Sequence, residues 1–155
     1  MAAATAWRVY REFKTALGTK TFVLNASDVI KCALFTVSSN CGDVALATAQ
    51  YATLTNEVAN QSGAGYLTGG KTVAATWAGA SGTDTFDVAD ASWTATGGSI
   101  TARYAVLYDD TATNKPLIAY CILDSTPADV TATVGNTLTI QINASGVFTL
   151  AGGEA

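Results

Sequence analysis

The stretch Ile100-Thr-Ala-Arg-Tyr-Ala-Val-Leu-Tyr108, followed by Asp109-Asp-Thr-Ala-Thr-Asn-Lys115 and Pro116-Leu-Ile-Ala-Tyr-Cys-Ile-Leu123, decides the fold class. Two apolar runs rich in Val, Ile, Leu and Tyr flank a polar turn, which predicts a β-hairpin. The rest of the chain repeats this grammar: short Val/Ile/Thr/Tyr runs broken by Gly, Ser, Asn and Asp.

Working outward from the hairpin, strands are expected over Val29–Val37, Lys71–Trp77, Thr83–Val88 and Ala91–Thr96. A closing pair is expected between Asn136–Ile142 and Gly146–Leu150, joined by the turn Asn143-Ala-Ser-Gly146. In Thr137-Leu-Thr-Ile-Gln-Ile-Asn143 the alternation is strict, with Leu138, Ile140 and Ile142 on one face. Near the N-terminus, Trp7–Leu24 reads as a hairpin that returns through Thr21–Leu24, and a helix over Arg8–Leu17 is the competing reading. Asp43 is placed to cap a short helix over Val44–Leu54, where Ala, Leu and Gln favour helix and Val44, Ala47 and Tyr51 share a face. Thr55–Gly70 is polar and Gly-rich, too poor in apolar residues to bury itself, and reads as a long ordered loop. Roughly eight to ten strands with one helix point to an all-β domain, a sandwich or a closed barrel. Residues 1–14 form an arm or first strand, and 15–155 the sandwich domain.

The 155 residues suit one domain. Only 13% are charged while 49% are hydrophobic, so the exterior must be built largely of Thr, Ser, Ala, Asn and Gly. A surface so short of charge suits a protein packed against others, because a free monomer relies on charge for solubility. The net charge of −4 and the scattered basic residues argue against nucleic-acid binding, which needs clustered Lys and Arg; only Arg8, Arg11 and Lys14 lie close together. Met1-Ala-Ala-Ala-Thr-Ala6 does not resemble a signal peptide, and no apolar run approaches about 18 residues, so no membrane partner is expected.

Candidate chemistry is sparse. The chain has no histidine, which removes imidazole acid–base catalysis and His-based zinc sites. Cys32, Cys41 and Cys121 lack metal-site spacing, and Cys32 and Cys121 lie inside apolar runs, as buried reduced thiols do. Asp84, Asp87 and Asp90 could surround Ca²⁺ only if their segment curled into a loop, and it lacks the alternating ligands of such a loop. Gly65 and Gly70-Lys-Thr72 match the phosphate-loop spacing, but no apolar strand precedes them and no helix follows. No nucleophile–base pair is evident, so neither an enzyme nor a cofactor is expected. The aromatics carry more promise: Trp77 and Trp93 as core, Trp7 and Tyr66 as either core or partner anchors.

The segments Asn56-Glu-Val58, Gly65-Tyr-Leu-Thr-Gly-Gly-Lys71, Phe86–Trp93, Ile100–Tyr108, Lys115–Tyr120 and Ile140–Leu150 together resemble a family of small virion structural proteins of tailed bacteriophages. The resemblance implies a β-sandwich or jelly-roll present in many copies, of the capsid decoration (cement) type. Such a protein binds the outside of the shell between capsomers; it is made in the host cytoplasm and ends on the virion. Its partners would be the major capsid protein and copies of itself, as a dimer or trimer. Interface candidates on this reading are Trp7, Tyr10 and Phe13 in the arm, and Asn56, Tyr66 and Leu67 in the glycine-rich loop. A tail or head–tail connector protein, or a receptor- or carbohydrate-binding module, are the alternatives.

Overall fold

The computed structural model describes residues 4–18, 24, 27–61, 65–126 and 128–152. Its core is the hairpin of β8 (Tyr104–Asp109) and β9 (Leu117–Ile122), with β2 (Ile30–Phe35) against β8. These three strands read as nearly continuous apolar runs, interrupted by Lys31 in β2 and closed by Asp109 in β8, because they are largely covered on both faces: Ala105–Asp109 and Leu117–Cys121 are all buried. The short β1 (Arg8–Val9) and β3 (Lys71–Val73) complete a five-stranded sheet in the order β1-β9-β8-β2-β3, antiparallel throughout.

Two continuous stretches of chain leave this sheet for others. After Val73 the chain kinks at Ala74 into β4 (Ala75–Ala80), which pairs with β5 (Thr83–Val88) through a turn at Ser81-Gly82. Both turn residues have positive φ, 51° and 78°, the signature of the type I′ turn that matches strand twist. Likewise β7 (Ile100–Ala102) runs into β8, but its partner is β10 (Val130–Ala132). At the junction, Arg103 pairs with Asp129 at 2.7 Å. The remaining ladders are β6 (Ala91–Thr94) with β11 (Thr137–Ile140), and β5 with β12 (Phe148–Ala151). Phe86, Trp77 and Phe148 form an aromatic cluster at β4, β5 and β12, and Phe13 meets Phe148 edge-on at 5.8 Å. Phe13 comes from α1 (Arg11–Leu17), which has no side-chain N-cap; at 7 residues it is held by burying that ring rather than by propensity.

Among the described residues the fold is therefore all-β with one short helix, as the strand grammar implies, but four local expectations are corrected. The helix lies at Arg11–Leu17 and not at Val44–Leu54, where only a 310 turn at Tyr51–Thr53 forms. Propensity there is overridden by pairing: Gln50 bridges Pro116, and Leu117 N donates to Ala49 O at 2.9 Å. Residues 8–17 are a strand followed by a helix, so neither competing reading holds over its whole length; the return strand at Thr21–Leu24 lies, Leu24 apart, outside the described residues. The expected strand over Ile100–Tyr108 is two strands in different ladders. The closing hairpin is also not formed, since β11 pairs β6 and β12 pairs β5, although Gly146 N to Asn143 O at 2.8 Å confirms the turn itself.

Candidate functional site

The glycine-rich loop is the part of the molecule whose construction calls for explanation. At its start, residues 56–58 run beside the end of β2: Thr36 N donates to Asn56 O at 3.0 Å and Val58 N to Leu34 O at 2.9 Å. This places the Glu57 side chain over the sheet, where its carboxylate gathers the loop. One oxygen accepts from the Tyr66 hydroxyl at 2.5 Å and from Gly69 N at 2.7 Å; the other accepts from the Tyr51 hydroxyl. Tyr66 in turn accepts from Leu34 N at 2.9 Å, so a phenol continues the ladder beyond the end of β3. Tyr108, stacked on Tyr51 with ring centroids 4.4 Å apart, donates to Gly69 O at 2.8 Å.

Electrostatics fix the roles in this network. Burial first, and the Glu57 carboxylate after it, hold the Tyr66 and Tyr51 phenols protonated far above their usual range. Both are neutral donors throughout the physiological range and cannot act as bases. The last residues of the loop are set by close approach: Gly70 has φ +69°, and a Cβ there would lie 2.0 Å from Cys32 O. The loop leads directly into β3, where Lys71 donates to Ser92 O at 3.1 Å. Thus Gly70-Lys-Thr72 opens a strand pressed on β2 and offers no phosphate cradle.

The interface candidates divide sharply. Tyr10, Phe13 and Tyr66 are 0%, 1% and 0% exposed, so they are core residues and are corrected as surface anchors. Tyr10 donates to Cys41 O at 2.6 Å. Trp7 is half-buried against the same core. Asn56 and Leu67 are exposed. Asn56 holds φ +57° and ties Nδ2 to Ser38 O at 2.9 Å, while Leu67 is 54% exposed on a turn closed by Gly70 N to Leu67 O. The hub that braces them, Glu57, was absent from the candidates; a lone carboxylate in a Thr/Ala/Gly-rich stretch of a tyrosine-bearing chain was its only signal.

The other expected sites are accounted for. Trp93 is buried against Tyr66, and Trp77 is partly buried in the aromatic cluster. Asp84 and Asp87 stand on opposite faces of β5 by strand alternation, and Asp90 accepts from Ile142 N at 2.8 Å. The segment is thus extended and does not curl around an ion. Cys32, Cys41 and Cys121 are buried free thiols. Burial pushes Cys41 up to about 11 and Cys121 up to about 12. A groove of about 350 Å³ between residues 58–61 and 97–101 is lined by Thr36, Val58, Asn60, Gln61 and Thr101 among others, with no ionisable side chain. Comparison of the chain with protein-family models, curated proteins and solved structures gives no match.

Proposed function

We propose that the protein is a bacteriophage capsid decoration (cement) protein of sandwich or jelly-roll type, bound to the outside of the shell between capsomers and stabilising it. The observation that carries this reading is a charge-poor surface bearing large exposed aliphatic side chains: Val29, Val37, Val44, Leu67, Val134 and Leu150. Interface centres are depleted in charge in the same way. Leu67 is the strongest anchor, because the Glu57 network fixes its loop before any contact is made, which lowers the ordering cost of binding. The partners on this reading are the major capsid protein and further copies of the chain as a dimer or trimer, with the virion as the final location. No large exposed side chain in the described residues is aromatic, so a sugar-stacking surface has no support.

Co-sedimentation with expanded shells that lack the protein tests the proposal. Saturable binding that Leu67→Asp weakens at least tenfold, with unchanged thermal stability, is the expected result. Failure to bind while assembling into rings or tubes would move the protein to the tail or head–tail connector.

A further inference from the structure

A cavity of about 240 Å³ lies between α1 and the β8–β9 turn. One wall is the face of α1 that carries Glu12, Phe13 and Ala16, brought together by their i, i+3 and i, i+4 spacing. The opposite wall is formed where residues 49–51 lie against residues 115–117: Leu117 N donates to Ala49 O at 2.9 Å, Tyr51 N to Lys115 O at 2.8 Å, and Gln50 bridges Pro116. The rim is the turn itself, in which Asn114 and Lys115 hold φ 68° and 47°, two successive left-handed residues without glycine's freedom. Lys115 N on Ala112 O at 3.0 Å and the Lys115 ammonium on Asp110 at 2.7 Å keep the turn in that form.

Among the lining residues Glu12 alone is ionisable. The buried amide of Ala49 donates to its Oε2, which fixes the carboxylate against the far wall. No lysine or arginine among the described residues pairs with it: Lys115 at the rim is committed to Asp110, and Arg11 and Lys14 fall on other faces of α1. Oε1 therefore has no partner among the described residues. It stands beside the half-buried apolar surfaces of Ala16 and Pro116, with Phe13 and Leu117 buried behind them.

We propose that this cavity binds one lysine side chain of a partner protein, with the methylene stem against Ala16 and Pro116 and the ammonium donating to Glu12 Oε1. Apolar walls ending at an unpaired carboxylate match a side chain that is apolar along its stem and charged at its tip. Lysine fits better than arginine because Oε2 is already occupied. The carboxylate cannot offer both oxygens to a planar guanidinium fork, whereas an ammonium is a point charge that one oxygen serves. Both walls are tied in place before any contact is made, so binding orders little besides the incoming side chain. The chain's net charge of −4 favours a cationic partner in the same sense.

Amide ¹H–¹⁵N spectra of the full-length protein, titrated at constant ionic strength with Nα-acetyl-lysine N-methylamide, read binding at the cavity directly. The expected result is saturable, millimolar-range shifts at Ala49, Gln50, Asn114 and Leu117, weakened about threefold to tenfold by Glu12→Gln, which keeps an acceptor for Ala49 N but removes the charge. Butanol, which has the stem without the charge, and Nα-acetyl-arginine N-methylamide should both bind more weakly than the lysine derivative. Absence of saturable shifts, or equal binding by butanol, by the arginine derivative or to Glu12→Gln, would overturn the proposal. Binding of n-butylammonium without binding of the lysine derivative would also overturn it, by assigning the cavity to a free amine. The ligand comparisons use the wild-type protein, so they decide the matter even where Glu12→Gln fails to fold, and they are independent of whether the protein binds shells.

Discussion

Replacing Glu57 by Ala removes one carboxylate that accepts from three donors, the hydroxyls of Tyr51 and Tyr66 and the amide of Gly69. A hydrogen bond to a charged acceptor contributes about 1.5–3 kcal/mol. Tyr51 lies partly in solvent and water can replace its bond, which leaves the fully buried Tyr66 hydroxyl and the Gly69 amide as the main losses. Tyr66 keeps the bond from Leu34 N but loses its only described acceptor. The expected destabilisation is about 3–5 kcal/mol, which for a chain of this length lowers Tm by roughly 6–20 °C. Glu57→Gln retains one carbonyl acceptor and should fall about midway. Chemical denaturation followed by tryptophan fluorescence reports directly, because Trp93 lies 5.7 Å from Tyr66. A Glu57→Ala protein within about 1 kcal/mol of wild type would refute the view that this carboxylate organises the loop.

Gly70→Ala meets both a left-handed backbone and the Cys32 carbonyl, whereas Gly135 has φ +88° with nothing within 4 Å of its added Cβ. Thermal melts should therefore show Gly135→Ala costing about 1–2 kcal/mol and Gly70→Ala clearly more, and equal losses would contradict the close approach. Deleting residues 1–10 removes β1 and the buried Tyr10, so the truncated domain should lose several °C in Tm; an unchanged melt would favour this segment as a detachable arm over a first strand of the domain. With Cys41 at about 11, its thiolate fraction near pH 8 is about one in a thousand. Ellman's reagent should thus find all three cysteines unreactive in the native state and reactive after denaturation. Fast native reaction at any one of them would show that its burial is incomplete.

Much of the fold is legible in local sequence because burial leaves a local pattern. The two-faced runs of β2, β8 and β9 are nearly continuous apolar stretches, broken by Lys31 and ended by Asp109, and the alternation of Thr137–Ile140 places Leu138 and Ile140 inward as observed. Partners were far less legible. Leu138 faces Trp93 and Phe148 faces Phe86 across the ladders, contacts between segments tens of residues apart that no turn signal announces. The helix expected at Val44–Leu54 fails for the same reason, since Ala49 N is taken by Glu12 and Gln50 by Pro116. At the candidate site, exposure of Asn56 and Leu67 matches their polar, glycine-rich setting, but Tyr10, Phe13 and Tyr66 each hide a ring, and the two tyrosines satisfy their hydroxyls inside the protein. An aromatic side chain carries the same letter whether it anchors a partner or plugs a core.

The measurement that bears most directly on the proposed role is cryo-electron microscopy of expanded shells lacking the protein, imaged after incubation with it. The account predicts regular density on the shell exterior where capsomers meet, with the Leu67 loop in contact, and sparse density after incubation with Leu67→Asp. Bare shells with the wild-type protein would contradict it.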